Sequence, residues 1–317
     1  MLIFPSLLGL LISSVTSARA ACDLWSESTP AGELDVGVLS EASGLAASRR
    51  FPGQLYHVAD SPSRPAFYVS DADGSNLREV LLEPPPAPPY DIEAVSVGPC
   101  GEMSCVFLAD IGGNTFRRTE ARIVALRETA FTSQVEPLYT LRLSCPPELG
   151  DAEGFAVHPN GDLYLLGKPA LSLLNARPAR LYRLRAQVWQ AAPERGHTLE
   201  LIAELVLQDL PQNRLDVLSH IATDLAISPD GQRFTVLAYG DAFEFTLDLA
   251  TVDSATIDSV MNTAELNVEV VSRLVLTRLA QQESLTYLDG DTLLYGSEAR
   301  TGEAPLYKVS CLQRASE

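Results

Sequence analysis

The chain is short of positive charge and almost without lysine. Its 23 Lys and Arg stand against 41 Asp and Glu, a formal net charge of −18 over 317 residues. A field of that sign repels nucleic acid and anionic membranes, so neither is an expected partner. Two lysines occur, Lys168 and Lys308, and every other basic residue is arginine. Familiar catalytic signatures are missing too: no G-x-S-x-G elbow, no H-E-x-x-H pair, no G-K-[ST] phosphate loop and no C-x-x-C. Those absences argue against a nucleophilic serine and against a zinc peptidase. Beyond its first residues the chain has no apolar run long enough to cross a membrane.

What is present begins with a leader. Residues 2–11 are apolar, small residues follow, and Ala18-Arg19-Ala20 fits an A-x-A cleavage site. The expectation is a signal peptide over residues 1–20 and a mature chain from about residue 21, secreted or periplasmic. Lipid attachment at Cys22 is disfavoured by Arg19, three positions before it. Five cysteines in an exported chain suggest disulfides with one residue left over. Cys100 and Cys105 flank a four-residue loop that a hairpin bridge can close; Cys22 and Cys311 lie at the two ends of the mature chain. Cys145 is then the unpaired one, although spacing alone leaves other pairings open.

The chain repeats itself. SGLAAS, EAVSVG, EGFAVHPNG, TDLAISPDG and ESLTYLDG share one pattern, led by Ser43, Glu93, Glu153, Thr223 and Glu283. Asn160-Gly161, Asp230-Gly231 and Asp289-Gly290 are hairpin-turn pairs. A second apolar strand follows each segment, then a third, and a fourth in four of the five units. The fifth unit runs out of chain at Cys311, and the stretch 33–40 can supply its missing strand. Four-stranded units closed into a circle by both chain ends describe an all-β, five-bladed β-propeller over residues 21–317, one domain, with six blades as the alternative. Residues 251–265 carry no blade signature, and the proline run 84–89 reads as a stiff connector.

The innermost strand of each blade lines the channel, so the five leading residues form one ring: Ser43, Glu93, Glu153, Thr223 and Glu283. Three carboxylates converging in a partly dry tunnel must protonate or bind a cation. Oxygen ligands without histidine or thiolate favour calcium or magnesium over zinc or copper, and a wide ring of carboxylates from separate strands suits calcium. The bland alternative is a hydrated channel whose acids face water. This Ser-Glu-Glu-Thr-Glu ring resembles that of the calcium-activated nucleotidase (apyrase) family, which implies five blades and a tunnel calcium held by glutamates and hydroxyls. The runs Asp91-Ile92-Glu93-Ala94 and Asp110-Ile111-Gly112-Gly113-Asn114 resemble exported bacterial propellers of unassigned function, and that likeness implies a fold without an activity.

Fifteen to seventeen residues past each ring member stands another polar residue: Asp60, Asp110, Lys168, Tyr239 and Glu298. They are expected to border a funnel above the ring, joined by the loop residues Asn114, Arg117, Asp241 and Arg300. Lys168 is read either as an anion-binding group or as an ion-pair partner of its acidic neighbours. His57 is expected to face a neighbouring blade, and His158 to be a surface residue. Asp71-Ala72-Asp73-Gly74 resembles the start of a calcium loop but has no glutamate at its twelfth position, so a hairpin turn is expected there.

Two functions follow. The favoured one is a monomeric, exported, calcium-binding propeller that holds a small ligand or peptide at the tunnel mouth, its ion structural. The other is a calcium-dependent hydrolase of phosphoanhydrides, phosphoesters or lactones. In that reading Asp60, Asp110 or Glu298 handles water while Lys168 stabilises developing charge, and Asn114, Arg117, Tyr239, Asp241 and Arg300 bind the substrate.

Overall fold

The computed structural model describes residues 21–60, 64–88, 90–113, 118–146, 149, 151–168, 178–207, 220–246, 270–299 and 302–314. The leader, the 251–265 stretch and the loop residues Asn114, Arg117 and Arg300 lie outside them.

The chain enters through β1 (Cys22–Trp25) and β2 (Thr29–Leu34). The first blade is β3 (Ala42–Ala47), β4 (Gln54–Ala59), β5 (Ala66–Asp71) and β6 (Arg78–Leu82). The second is β7 (Ile92–Cys100), β8 (Met103–Asp110), β9 (Glu120–Arg127) and, after β10 (Gln134–Val135), β11 (Tyr139–Ser144). The third runs β12 (Asp151–Val157), β13 (Leu163–Lys168) and β14 (Ala179–Leu184). It then passes α1 (Ala186–Trp189) and β15 (Gly196–Thr198) to reach β16 (Glu200–Leu205). The fourth is β17 (Ala222–Ile227), β18 (Arg233–Ala238), β19 (Ala242–Thr246) and β20 (Val270–Leu274); β21 (Gln282–Tyr287), β22 (Thr292–Ser297) and β23 (Ala304–Arg314) begin the fifth.

These strands form five sheets. Inner strand β3 packs against β7, β7 against β12, β12 against β17, β17 against β21, and β21 back against β3. The circle closes at five, which settles the blade count. β10 adds in parallel to β6, and β15 in parallel to β11, so two outer edges are covered by strands from the following connection. Aromatic side chains fill the gaps between blades: the Phe107 ring lies 6.5 Å from Phe155 and 6.0 Å from Trp189. Burying each is worth about 2–3 kcal/mol.

Both chain ends build the last blade, since β2 and β1 pair successive halves of β23. The closing strand differs from the expected 33–40. It spans Thr29–Leu34, because Asp35 turns the chain: its side chain accepts the Gly37 N–H, and its carbonyl the N–H groups of Val38 and Leu39. Disulfides join Cys22 to Cys311 and Cys100 to Cys105, leaving Cys145 free and half-buried. With its sulfur engaged, Cys22 has no thiol for a lipid. Two disulfides are consistent with an oxidising compartment. Among the described residues no helix is long and apolar enough to cross a membrane.

Two expectations about polar residues change. His158 is buried, not superficial: its Nδ1 accepts the Asn160 N–H, so Nε2–H donates to Gly231 O at 3.1 Å, tying the β12–β13 turn to the β17–β18 turn. The two turns pack together, and neither was visible to the other in sequence. Asp71 and Asp73 do form the expected hairpin turn, with Asp73 accepting from Ser75 and Asp71 from Asn76.

Glu128, wholly buried after β9, shows how one blade grips the next. Its carboxylate accepts Ser48 Oγ at 2.5 Å, the Arg49 N–H at 3.1 Å, Tyr56 OH at 3.2 Å and the Ser104 hydroxyl. Glu128→Ala leaves those donors unpaired and is expected to cost about 3 kcal/mol in urea unfolding. A loss below about 1 kcal/mol would show that water replaces the carboxylate.

Candidate functional site

A β-bulge places every ring residue. In all five blades the ladder between first and second strand skips one position. The register jumps from Ala42 to Gly44, Ile92 to Ala94, Ala152 to Gly154, Ala222 to Asp224 and Gln282 to Ser284. The skipped residues are Ser43, Glu93, Glu153, Thr223 and Glu283. A bulge leaves its extra residue out of the ladder and re-aims its side chain; here it does so at one equivalent position in each blade. All five are buried. Gly44 and Gly154 follow two of them because the next inner strand passes so close. A Cβ on Gly44 would meet Ala94 Cα at 2.8 Å, and one on Gly154 would meet Leu225 Cβ at 2.8 Å.

On the side of the first two blades the ring gains acids. Ser43 Oγ donates to Glu93, reaching its carbonyl at 2.9 Å and Oε2 at 3.0 Å. Carboxylate oxygens of Asp60, Asp91 and Glu93 lie within 4.8 Å of one another. The segment after β8 builds this cluster. Asp110 accepts the Asp91 N–H at 3.0 Å, and the N–H groups of Ile111 and Gly112 donate back to Asp91 O at 3.1 Å. Gly112 lies flat behind the carboxylates; a Cβ there would come within 2.2 Å of Glu93 Oε1. Gly113 N–H reaches Asp151 at 2.6 Å. Asp110 itself is held by Arg118 and, at 2.5 Å, by Arg122. It anchors the cluster from behind.

The other side is partly neutralised. Lys168 Nζ donates to Glu153 Oε1 at 2.6 Å. Glu283 Oε1 accepts Tyr239 OH and Gln281 Nε2, both at 2.7 Å, and its carboxyl shares a hydrogen bond with Glu298. Asp241 pairs with Arg273 at the mouth. Between Glu153 and Glu283 in ring order, Thr223 Oγ1 is buried with no hydrogen-bond partner. A buried hydroxyl without a partner is rare.

Electrostatics record the strain. Burial, and then Glu153, Asp60 and Asp91, push Glu93 well above the usual carboxylate range, against the Ser43 hydrogen bond. Burial takes Glu153 to about 8 although the Lys168 ammonium pulls it down. Glu283 rises to about 7 through burial and the neighbouring Glu298. Asp91 and Asp151 are raised for the same first reason, loss of water.

Sequence reasoning missed Asp91, Asp151 and Gln281. The signal was there: each stands two positions before a ring residue, and Asp-x-Glu recurs at 91–93 and 151–153. It missed Asp224 as well. That fully buried carboxyl accepts the N–H of Leu225 at 2.7 Å and of Leu285 at 2.6 Å, stitching β17 to β21. His57, expected to face a neighbouring blade, is buried in β4 with its hydrogen-bond partner on β5 of the same blade. Its Nε2–H meets Ser70 Oγ at 2.8 Å, and burial pushes it down to about 3. Away from the ring, a cavity of about 270 Å³ is lined by Leu45, Ala47, Val97, Val157, Ile227 and Tyr287. Ser48, Arg49, Ser96 and Thr286 line it as well, and no ring residue does.

No family model matches the chain, and no curated protein does. Solved structures do resemble it. The PQQ-bound aldose sugar dehydrogenase of Streptomyces coelicolor is 11% identical, covering 90% of this chain and 98% of that one, at a TM-score of 0.48. Regucalcin of Agrobacterium tumefaciens, a calcium-binding protein, is 10% identical over 88% and 93%, at 0.44. A Bacteroides thetaiotaomicron protein of unknown function is 10% identical over 90% and 77%, at 0.44. None of the three carries a function to this chain at such identities, and the five-bladed fold stands on the strand order itself.

Proposed function

We propose that this chain is an exported, calcium-binding propeller. Its ion is held at Asp60, Asp91 and Glu93 on the tunnel ring, and its mouth takes a small oxygen-bearing ligand or a peptide end. One observation carries the reading: three carboxylates from the first two blades bring oxygens within 4.8 Å of one another, over a backbone that leaves room for no side chain. A calcium shell with bonds of about 2.4 Å spans such a separation, and every donor is oxygen. Ser43 and Thr223 add hydroxyls to the ring, and water completes the shell. Bound there, the ion neutralises acids that burial otherwise penalises, so its first duty is to hold blades together.

The hydrolase reading rests on a different observation. Glu283 and Glu298 share a hydrogen bond, and Glu283 stands at about 7, where a carboxylate accepts a proton at neutral pH. In that case Glu298 with Glu283 handles water across the ring from the ion, and Asp110 positions the metal cluster from behind.

Metal analysis of the mature protein tests the main reading. One calcium per chain is expected, together with a rise in the melting midpoint worth about 2.7 kcal/mol at a hundredfold excess of calcium over Kd. Both should be lost in Asp91→Asn/Glu93→Gln. Calcium retained by that variant would place the ion elsewhere, and none in the wild type would end the reading. A screen of phosphoanhydride, phosphoester and lactone substrates decides the second reading: turnover abolished by Glu298→Gln, with calcium still bound, would establish a hydrolase.

A further inference from the structure

The residue at the end of the second strand of each blade, or one position past it, is acidic or neutral in four cases, Asp60, Asp110, Tyr239 and Glu298, and basic in one. Lys168 lies opposite Asp151 in the β12–β13 ladder and bonds Glu153 at 2.6 Å. Asp151 and Glu283 also act on it, and its ammonium lies 5.7 Å from the Tyr239 ring centroid. On the far side, the charges that act most strongly on Glu93 are those of Glu153, Asp60 and Asp91, while Arg118 acts on Asp91. The ring is therefore divided: in the third blade a lysine bonds a ring carboxylate directly, whereas in the second blade Arg118 and Arg122 pair Asp110 behind the ring.

Resting on the calcium reading above, we infer that Lys168 is the ring's fixed second cation. It restricts the mouth to a single divalent ion and confines that ion to the Asp60–Asp91–Glu93 side. Glu153, Thr223 and Glu283 stand at the equivalent bulged positions of three consecutive blades. Two are carboxylates, and the third has a buried hydroxyl without a partner. Take the ammonium away and that side keeps two acids, a free hydroxyl and no counter-charge, the donor set a hard divalent ion prefers. An ammonium and a divalent ion competing for the same carboxylates exclude one another by simple repulsion.

Calcium stoichiometry by equilibrium dialysis in mildly alkaline buffer, with elemental analysis, tests this. Wild type and Lys168→Arg should bind one equivalent, and Lys168→Met two. Lys168→Met/Glu153→Gln should return to one, because the second site loses a carboxylate along with the ammonium. Melting curves in calcium confirm that each variant is folded. Should Lys168→Met fail to fold, Lys168→Gln stands in, with the same expectation. A single equivalent in the folded Lys168 variant at saturating calcium would overturn the inference and leave the first site intact. Two equivalents in the wild type would overturn it as well. No calcium in the wild type, and none in Asp91→Asn/Glu93→Gln, would end both readings together.

Discussion

Raising the pH of the calcium-free protein from 4.5 to about 8.5 is expected to lower its melting midpoint by roughly 10 °C, and saturating calcium is expected to raise it again by acting on the other side of the ring. The sign follows from the ring. Glu153 and Glu283 have an ordinary value of 4.5 and stand in the fold at about 8 and about 7. Between pH 4.5 and those values the folded chain keeps protons that the unfolded chain has released. Stability therefore falls as pH rises through that window, by a few kcal/mol in all. Burial also raises Asp91 and Glu93, and calcium bound at the Asp60–Asp91–Glu93 cluster competes with the protons those two carboxyls hold. Its stabilising shift should accordingly be small near pH 5 and largest above pH 8. A flat melting profile without calcium would mean the acids are solvated, as the hydrated-channel alternative holds. A calcium shift that shrinks with pH would contradict binding to carboxylates.

The second large effect is expected far from the ring, where the circle closes. Glu244 on β19 is wholly buried, as is its ion-pair partner Arg233, at 3.0 Å. The same carboxylate accepts Tyr287 OH at 3.1 Å from β21 and the Cys22 N–H at 3.0 Å from β1. One side chain thus ties the entering strand to the last two blades. Glu244→Ala strands a buried guanidinium and should cost about 3–5 kcal/mol. Glu244→Gln should cost nearly as much, because the charge rather than the shape holds Arg233. Cys311→Ser, which opens a disulfide spanning 289 residues, should cost about 2–5 kcal/mol. Urea unfolding of the three variants measures these losses. Values below about 1 kcal/mol for both Glu244 variants would show that β1 and β23 close the ring without that carboxylate.

The five-fold repetition was legible because each blade must bury its own alternating strands, and that need is written locally, four strands at a time. The inner-strand acids were legible for the same reason: equivalent positions in a repeat become equivalent positions around an axis. The closing strand was misplaced by a few residues because the Asp35 turn competes with strand extension, and a local pattern of Leu, Val and Gly does not reveal which wins. His158 looked superficial because its partner, Gly231, belongs to another blade.

What the sequence by itself determined is the all-β repeat, the closure by both chain ends and the five polar residues that lead the blades. All of these follow from periodicity and from residue type. The structure chose Cys22–Cys311 and Cys100–Cys105 among the pairings that spacing left open. Tertiary structure alone decided that each leading residue is bulged out of its ladder, that Asp91 joins Asp60 and Glu93 while Asp110 is held by Arg118 and Arg122, and that Lys168 neutralises Glu153. Those outcomes depend on which side chains of different blades meet. That is set by the angle at which five twisted sheets pack, a property no single segment contains.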